Sequence, residues 1–403
     1  MKIGILRETK LPYDTRVPLT PGQCRLVEEK YPNLKLYVQP SPFRCFSDTA
    51  YAREGIRLTD DLSDCDIIFG VKEVVPEQLI PMKTYIFFSH TIKKQEHNKK
   101  LLQVILDKGI RLIDYEVLTD NQGIRIIGFG RWAGIIGTYL GIRAYSIRNG
   151  LSPVPPLHEA GSLAEMIRIA RVYRLPAFKI VITGDGRVGN GAREMMDAFR
   201  IRRVAIADFL ESSFKVPVYT QLNPGDYNNT KDGSPFIISH FFLHPEKYIG
   251  NFQRFCNNTD LLIAAAYWDP AAPVLFTRQQ IASDGFRINV IADISCDLNG
   301  SVPSTIKTAT LSTPYYDYNY VSGMAEPPFS DPSNITVMAV DNLPCGLPVD
   351  SSFDFGQALT GKILPLLISG DTDGIIQNGT ITSDGQLTKR FEYLQDWVAQ
   401  TKY

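Results

Sequence analysis

Short apolar runs bounded by polar residues or glycine recur along the chain, with helix-like stretches between them. Lys2–Leu6, Leu34–Val38, Asp66–Val71, Thr84–Ser89 and Gly109–Tyr115 each read as a strand. Thr20-Pro21-Gly22 reads as a helix start, with Thr20 as N-cap and Pro21 in the first turn. Trp132–Ile147 reads as a long helix whose Gly-laden part is too short to cross a bilayer, and Asn149–Pro156 as a break. A helix over Ser162–Val172 then leads to a strand, Phe178–Thr183. Further strands are expected at Arg203–Ala207, Asp260–Ala265, Ile288–Ala292 and Ile335–Val340. From Phe209 to Asn251 the pattern weakens into Pro, Asn, Gly and aromatics, and an excursion with some helix is expected. Phe353–Ile368 and Thr388–Thr401 read as closing helices.

Strands alternating with helices predict a parallel sheet, and ligands bind such sheets outside the carboxyl ends of the strands. Three neighbouring runs end on capable residues. DIIFGV leads into Lys72 and Glu73, TYIFFS into His90, and GIRLIDY into Glu116. A lysine, a histidine and two carboxylates at adjoining strand ends outline a proton-transfer site. Burial and neighbours can bring a lysine into the acid–base range, and Glu73 is placed to tune it. Histidine titrates in the useful range without help. The bland readings are a surface lysine at a strand exit, a satisfied structural histidine, and a hydrogen-bonded loop acid at Glu116. His97 lies in a lysine-rich, exposed stretch, and His158, His240 and His244 have no strand-end placement. Arg16 could clamp a substrate carboxylate bidentately or sit in a surface ion pair. Arg125 and Arg131, either side of Phe129, could serve a second carboxylate.

The run VITGDGRVGNGA at Val181–Ala192 carries G-x-G-x-x-G after a strand and before a helix. Gly184 permits the tight turn, Gly186 lets backbone approach a pyrophosphate, and Gly189 lets helix and strand pack closely. Gly184, Gly186, Arg187, Val188 and Gly189 are therefore the expected coenzyme contacts, and a purely structural glycine turn is the alternative. Asp208 falls about 20 residues past the motif, where a ribose-binding acid is expected. It favours NAD, with NADP the alternative, because a carboxylate repels a 2′-phosphate. Arg202 and Arg203 precede that strand and so are poor NADP ligands. Asp293 and Asp297 follow the strand INVIA, and one could face the nicotinamide or its ribose; Asp341 is placed likewise after ITVMAV. The expected fold is α/β, with two Rossmann-like domains whose parallel sheets flank a cleft. Residues 1–131 would be the first part of the substrate domain, 132–339 the dinucleotide-binding domain, and 340–403 the return to the first, which makes it discontinuous.

At 403 residues the chain exceeds one ordinary core. Lysine plus arginine (42) nearly balance aspartate plus glutamate (43), so no nucleic-acid or membrane partner is indicated and small-molecule substrates are expected. MKIGILRETK lacks a signal-peptide core, which points to a cytoplasmic protein. None of the six cysteines forms a CxxC pair, and no metal site is expected. The oligomeric state is left open.

Several of these stretches resemble a known family. Arg-Glu-Thr-Lys, Arg-Val-Pro-Leu-Thr-Pro, Val-Lys-Glu and Phe-Phe-Ser-His are similar to alanine dehydrogenases and lysine-forming saccharopine dehydrogenases. Lys83–Glu96, Arg111–Glu116, His244–Phe252, Ala292–Ser301 and Val340–Pro348 resemble more closely the lysine–2-oxoglutarate reductase half of bifunctional aminoadipic semialdehyde synthases. The resemblance implies reversible reductive joining of lysine to 2-oxoglutarate. It implies Lys72 as the acid–base lysine, His90 as its partner, Glu73 and Glu116 as tuning carboxylates, Arg16 as a carboxylate binder, and Asp297 beside the nicotinamide. The chain departs from the family in ending without the second dehydrogenase domain, and in carrying Val188 where fungal relatives have a cysteine. Another opine-type or alanine dehydrogenase, and a dinucleotide-binding protein without turnover, stand as alternatives.

Overall fold

The computed structural model describes residues 1–399. It divides into two compact units, Met1–Phe129 with Pro348–Tyr403, and Gly130–Leu347. In the first unit six strands run β1 (Lys2–Ile5), β2 (Lys35–Val38), β3 (Arg57–Leu58), β4 (Ile67–Phe69), β5 (Thr84–Phe87) and β6 (Arg111–Asp114). All pair in parallel, in the order β6-β5-β4-β1-β2-β3. Strand residues alternate between faces, so the sheet is buried on both sides. Ile67, Phe69 and Ile86 join one core cluster, while Ile68, Tyr85 and Phe87 join another. The helix Pro21–Lys30 begins as expected: the Thr20 hydroxyl accepts from Gln23 N (3.3 Å), and Gln23 Oε1 accepts from Thr20 N (3.0 Å). Between β4 and β5 the expected helix is only a single turn, Pro76–Gln78.

The second unit opens with the helix Gly130–Arg148 and a second sheet. Its strands are β7 (Lys179–Thr183), β8 (Arg202–Arg203), β9 (Val218–Leu222), β10 (Asn228–Thr230), β11 (Tyr248–Gly250), β12 (Leu261–Ala264), β13 (Val290–Asp293), β14 (Tyr315–Asn319), β15 (Met324–Glu326) and β16 (Ile335–Met338). β10 and β11 make a separate ribbon; the others stand in the order β15-β14-β16-β13-β12-β7-β9-β8. The six strands from β16 to β8 pair in parallel, and β14 and β15 add antiparallel. Helix Gly130–Arg148 meets helix Arg187–Ala198 through glycines. A Cβ on Gly134 would fall 2.0 Å from Val188 O, and one on Gly191 would fall 2.1 Å from Arg131 O. No side chain larger than hydrogen fits that crossing.

Strand β9 corrects the sequence reading. The segment Phe209–Asn251 was expected to be an excursion with some helix, yet Val218–Leu222 is a strand buried throughout that pairs directly with β7. Its polar residues are accommodated inside: Gln221 Nε2 donates to Gly184 O at 2.9 Å. The strand expected at Arg203–Ala207 ends at Arg203, and helix Ile206–Glu211 follows.

The chain then returns to the first unit. Helical residues Pro348–Ser369 contain a π-helical stretch at Leu359–Ile363. β17 (Thr380–Ser383) and β18 (Gln386–Leu387) add antiparallel beside β6. The helix expected over Thr388–Thr401 is a 3₁₀ segment, Lys389–Leu394, and a short helix, Gln395–Ala399; residues 400–401 lie outside the described part. Among the described residues, no helix is long and apolar enough to cross a membrane.

Candidate active site

In the first unit β4, β5 and β6 lie side by side, so their carboxyl ends share one edge. Phe88 N donates to Val71 O (3.0 Å), which ties the approach to His90 to the approach to Lys72. His90 Nδ1 stands 2.7 Å from Glu73 Oε1, and Lys10 Nζ stands 2.9 Å from the same oxygen. A carboxylate only accepts, so Nδ1 carries the proton of this bond, and Nε2 is left as the ring's working nitrogen. Glu73 is 7% exposed. Burial alone would raise its carboxyl, but the His90 hydrogen bond and charge, joined by Lys10, outweigh burial and hold it at about 2. Glu73 is thus an anion throughout the working range. Lys72 is half-buried, and among the described residues no side chain bonds its ammonium. Glu116 is flanked by Lys93 (3.3 Å) and Arg125 (3.4 Å). Glu73 Oε2 and Glu116 Oε2 are both buried without a hydrogen-bond partner.

Two carboxyls that the sequence reading left unassigned support these strand ends. Glu8, just past β1, is 8% exposed. Its Oε1 accepts from Val71 N (2.6 Å) and its Oε2 from Lys72 N (3.0 Å). Burial pushes its carboxyl up to about 8, and nearby Asp14 adds to the rise against the two N–H donors and Arg16. Asp114, the last residue of β6, is fully buried against Ser89 and the Glu116 backbone. The strand-end rule could have found Glu8, but only with the knowledge that β1 neighbours β4.

Two arginines are committed elsewhere. Arg16 is 3% exposed, and its Nε and Nη2 grip Asp14 (2.9 and 2.5 Å) while its guanidinium covers the Phe129 ring at 4.0 Å. The bidentate edge expected to meet substrate is taken by Asp14. Arg131 belongs to the second unit, where its Nε and Nη2 grip Glu194 (2.8 and 2.6 Å).

In the second unit the glycine loop is tight at Gly184 and Gly189 and open at Gly186. Gly184 has φ +86°, which a side chain disfavours. A Cβ on Gly186 would meet nothing within 4 Å, so the loop is open there, whereas one on Gly189 would strike Gly184 O at 2.0 Å. Arg187 and Val188 open the following helix, whose positive dipole end favours an anion.

Asp208 does not stand where it was expected. It is exposed in helix Ile206–Glu211, past the end of β8 rather than at a strand end. The next carbonyl, Phe209 O, accepts from Lys179 Nζ (2.5 Å) at the amino end of β7, opposite the glycine loop. β7 lies between β12 and β9, and the residue that follows β9 is Asn223. Arg203, Thr220, Gln221, Asn223 and Asp226 line a cavity of about 510 Å³ there. At the end of β13, Asp293 is 1% exposed and turns inward onto the Ser295 and Thr305 hydroxyls (2.6 Å each) and Cys296 N (3.2 Å). Asp297 is exposed in the same loop. Among the described residues, no cluster of His, Cys, Asp and Glu could hold a metal ion.

Such a pair of mostly parallel α/β units defines a class. The fold is that of a solved L-alanine dehydrogenase, with a TM-score of 0.65 at 18% identity over 99% of this chain and 100% of that one. The transhydrogenase from Sinorhizobium meliloti follows at 0.57 and 13%, over 96% and 98%. Residues 4–136 match the model for the alanine dehydrogenase/PNT N-terminal domain.

Nearer relatives narrow the class. The mitochondrial alpha-aminoadipic semialdehyde synthase of Bos taurus is 29% identical over 443 residues, covering 98% of this chain and 47% of the synthase. The saccharopine dehydrogenase [NAD(+), L-lysine-forming] of Emericella nidulans is 26% identical over 389 residues, covering 91% and 92%. The resemblance seen in the short motifs therefore holds along nearly the whole chain. The chain spans about half the length of the synthases it matches.

Proposed function

We propose that the chain is an oxidoreductase of amino-acid metabolism. It catalyses the reversible NAD(P)H-dependent condensation of L-lysine with 2-oxoglutarate to saccharopine. The observation that carries this reading is the Lys10–Glu73–His90 chain at the strand end that bears Lys72. Its support from relatives is near-full-length similarity to lysine-forming saccharopine dehydrogenases. In the condensation the lysine ε-nitrogen attacks the ketone carbon, water leaves, and the resulting imine is reduced. The dihydronicotinamide supplies the hydride when bound.

His90, held by Glu73 through Nδ1, exchanges a proton at Nε2. Lys72 moves a second proton as the amine adds and water departs. Glu73 and Glu116 balance the cations of the site, and Arg125 and Arg16 are the carboxylate-binding candidates, Arg16 only after exchange with Asp14. Gly184, Gly186, Arg187, Val188 and Gly189 would hold the pyrophosphate, and Asp297 is the candidate for the nicotinamide side. The adenosine end is assigned to the cavity of Arg203, Asn223 and Asp226, in place of Asp208. Arg203 presents a cation there for a 2′-phosphate and Asp226 an anion against one, so NAD and NADP are separated by assay.

The test is oxidation of NADH and of NADPH with 2-oxoglutarate, first with lysine and then with ammonia. Lysine-dependent oxidation, lowered about 10²-fold or more in Lys72→Met with coenzyme binding retained, is the expected result. Oxidation with ammonia alone would make the chain a simple amino-acid dehydrogenase. Coenzyme binding without oxidation under any amine and keto acid would make it a non-catalytic dinucleotide-binding protein.

A further inference from the structure

We propose that Asp114 is a positioning residue that fixes His90 and Glu116 together through one buried carboxylate. The inference rests on the reading of those two residues as site groups, and it goes beyond that reading by naming what holds them.

His90 adopts φ 51° and ψ 16°, the left-handed region that a side-chain-bearing residue rarely enters. Such a conformation costs on the order of 1 kcal/mol or more and persists where its surroundings over-determine it. The residues on either side supply that constraint. Ser89 and Thr91 are both fully buried. Asp114 Oδ2 accepts from Ser89 N (2.9 Å) and from the Ser89 hydroxyl (2.5 Å). The Ser89 hydroxyl oxygen also stands 2.8 Å from Thr91 Oγ1 and accepts from Thr91 N at 3.3 Å. His90 is thus pinned from both flanks.

The other oxygen of Asp114 turns back to its own strand end, β6. Oδ1 accepts from Glu116 N at 2.7 Å. One carboxylate therefore sets the spacing between the backbone at His90 on the β5 end and the backbone at Glu116 on the β6 end. Among the described residues no lysine or arginine bonds it, and the nearby charge of Glu116 is of like sign. Burial raises the carboxyl, the more so beside Glu116, while the Ser89 and Glu116 donors act against the rise. A buried acid without a cation is a poor device for stability alone. A device that fixes geometry is served by it, because a single side chain with four acceptor directions satisfies three donors on two strand ends.

The experiment uses the whole chain with two variants. In Asp114→Asn the amide oxygen can still accept from Ser89, but the amide nitrogen meets Glu116 N as donor against donor. In Ser89→Ala the Asp114 carboxylate keeps its Ser89 N and Glu116 N donors and loses only the hydroxyl that joins it to Thr91, so this variant folds even if the first does not. The expected result is a fall in kcat of about 10- to 100-fold for Asp114→Asn and about 3- to 10-fold for Ser89→Ala. The coenzyme KM stays within about twofold. Ser89→Thr, which keeps the hydroxyl, recovers most of the loss. A second readout needs no turnover: the ¹⁵N chemical shifts of the His90 imidazole report its bond to Glu73. They move in both loss variants and return in Ser89→Thr.

Unchanged kcat and unchanged imidazole shifts in both folded loss variants would overturn the proposal. Displaced imidazole shifts, in a wild-type protein inactive with every amine, would support the positioning role while removing the saccharopine reading.

Discussion

Glu8 allows a test that needs no substrate. The perturbation is Glu8→Gln. In the folded protein the Glu8 carboxyl is raised from 4.5 to about 8, by burial first and by Asp14 next. Between those values the native state holds a proton that the unfolded chain has released. Stability is therefore fully present below about pH 4.5 and is lost as pH rises toward about 8. The limiting slope is about 1.4 kcal/mol per pH unit, so the ceiling over the whole window is roughly 5 kcal/mol. Glutamine carries no titrating proton, and the variant lacks this slope. It does incur a constant penalty. Its amide offers one acceptor to the Val71 and Lys72 N–H groups, and its NH₂ opposes the other donor, at a cost of about 1–3 kcal/mol. A single pH would mix the two effects, whereas two pH values separate them. The assay is urea unfolding followed by Trp397 fluorescence in the first unit, with Trp132 and Trp268 removed by substitution. The variant should be the less stable protein near pH 5. Its disadvantage should shrink or reverse near pH 8.5, a relative change of up to roughly 4 kcal/mol. Parallel stability curves for the two proteins would refute the reasoning, because they would mean that Glu8 ionises alike in the folded and unfolded chains.

Glu73 behaves with the opposite sign. With its carboxyl held at about 2 against an ordinary 4.5, its contribution is present above about pH 4.5 and is lost as pH falls toward 2. Glu73→Gln should accordingly flatten the acid limb of the stability curve by roughly 2–3 kcal/mol, measured by urea unfolding at about pH 6 and pH 3. Gly189→Ala places a methyl 2.0 Å from Gly184 O, so the protein should melt at lower temperature and lose NADH fluorescence enhancement; retained binding would dispose of the pyrophosphate assignment. Asp208→Ala should leave both coenzyme KM values within about twofold, whereas Arg203→Ala should raise that for NADPH about tenfold. A large effect at Asp208 would restore it as the ribose acid.

What the sequence determined by itself is local. The Thr20 N-cap and the run of apolar residues through Ile67, Ile68 and Phe69 each depend on residues whose roles follow from short-range geometry or from the period of a strand. The glycine loop is legible for the same reason, since its φ and its close approaches exclude other residues. Lys72, His90 and Glu116 are legible because chemically capable residues at the exits of apolar strands are uncommon, and an edge formed by strand ends gathers them. Tertiary structure alone decided which strands are neighbours. β1 beside β4 brings Glu8 to Lys72 across 64 positions of sequence, and β5 beside β6 brings Asp114 to Ser89 across 25. β9 was hidden because Thr220 and Gln221 look like loop residues until β7 supplies the Gly184 carbonyl that satisfies Gln221. The strand expected to end at Asp208 was misplaced for the complementary reason. Its spacing from the motif matched, but spacing along the chain does not say which strand lies beside β7, and a hydrogen-bonded sheet is a non-local structure that no local period reports.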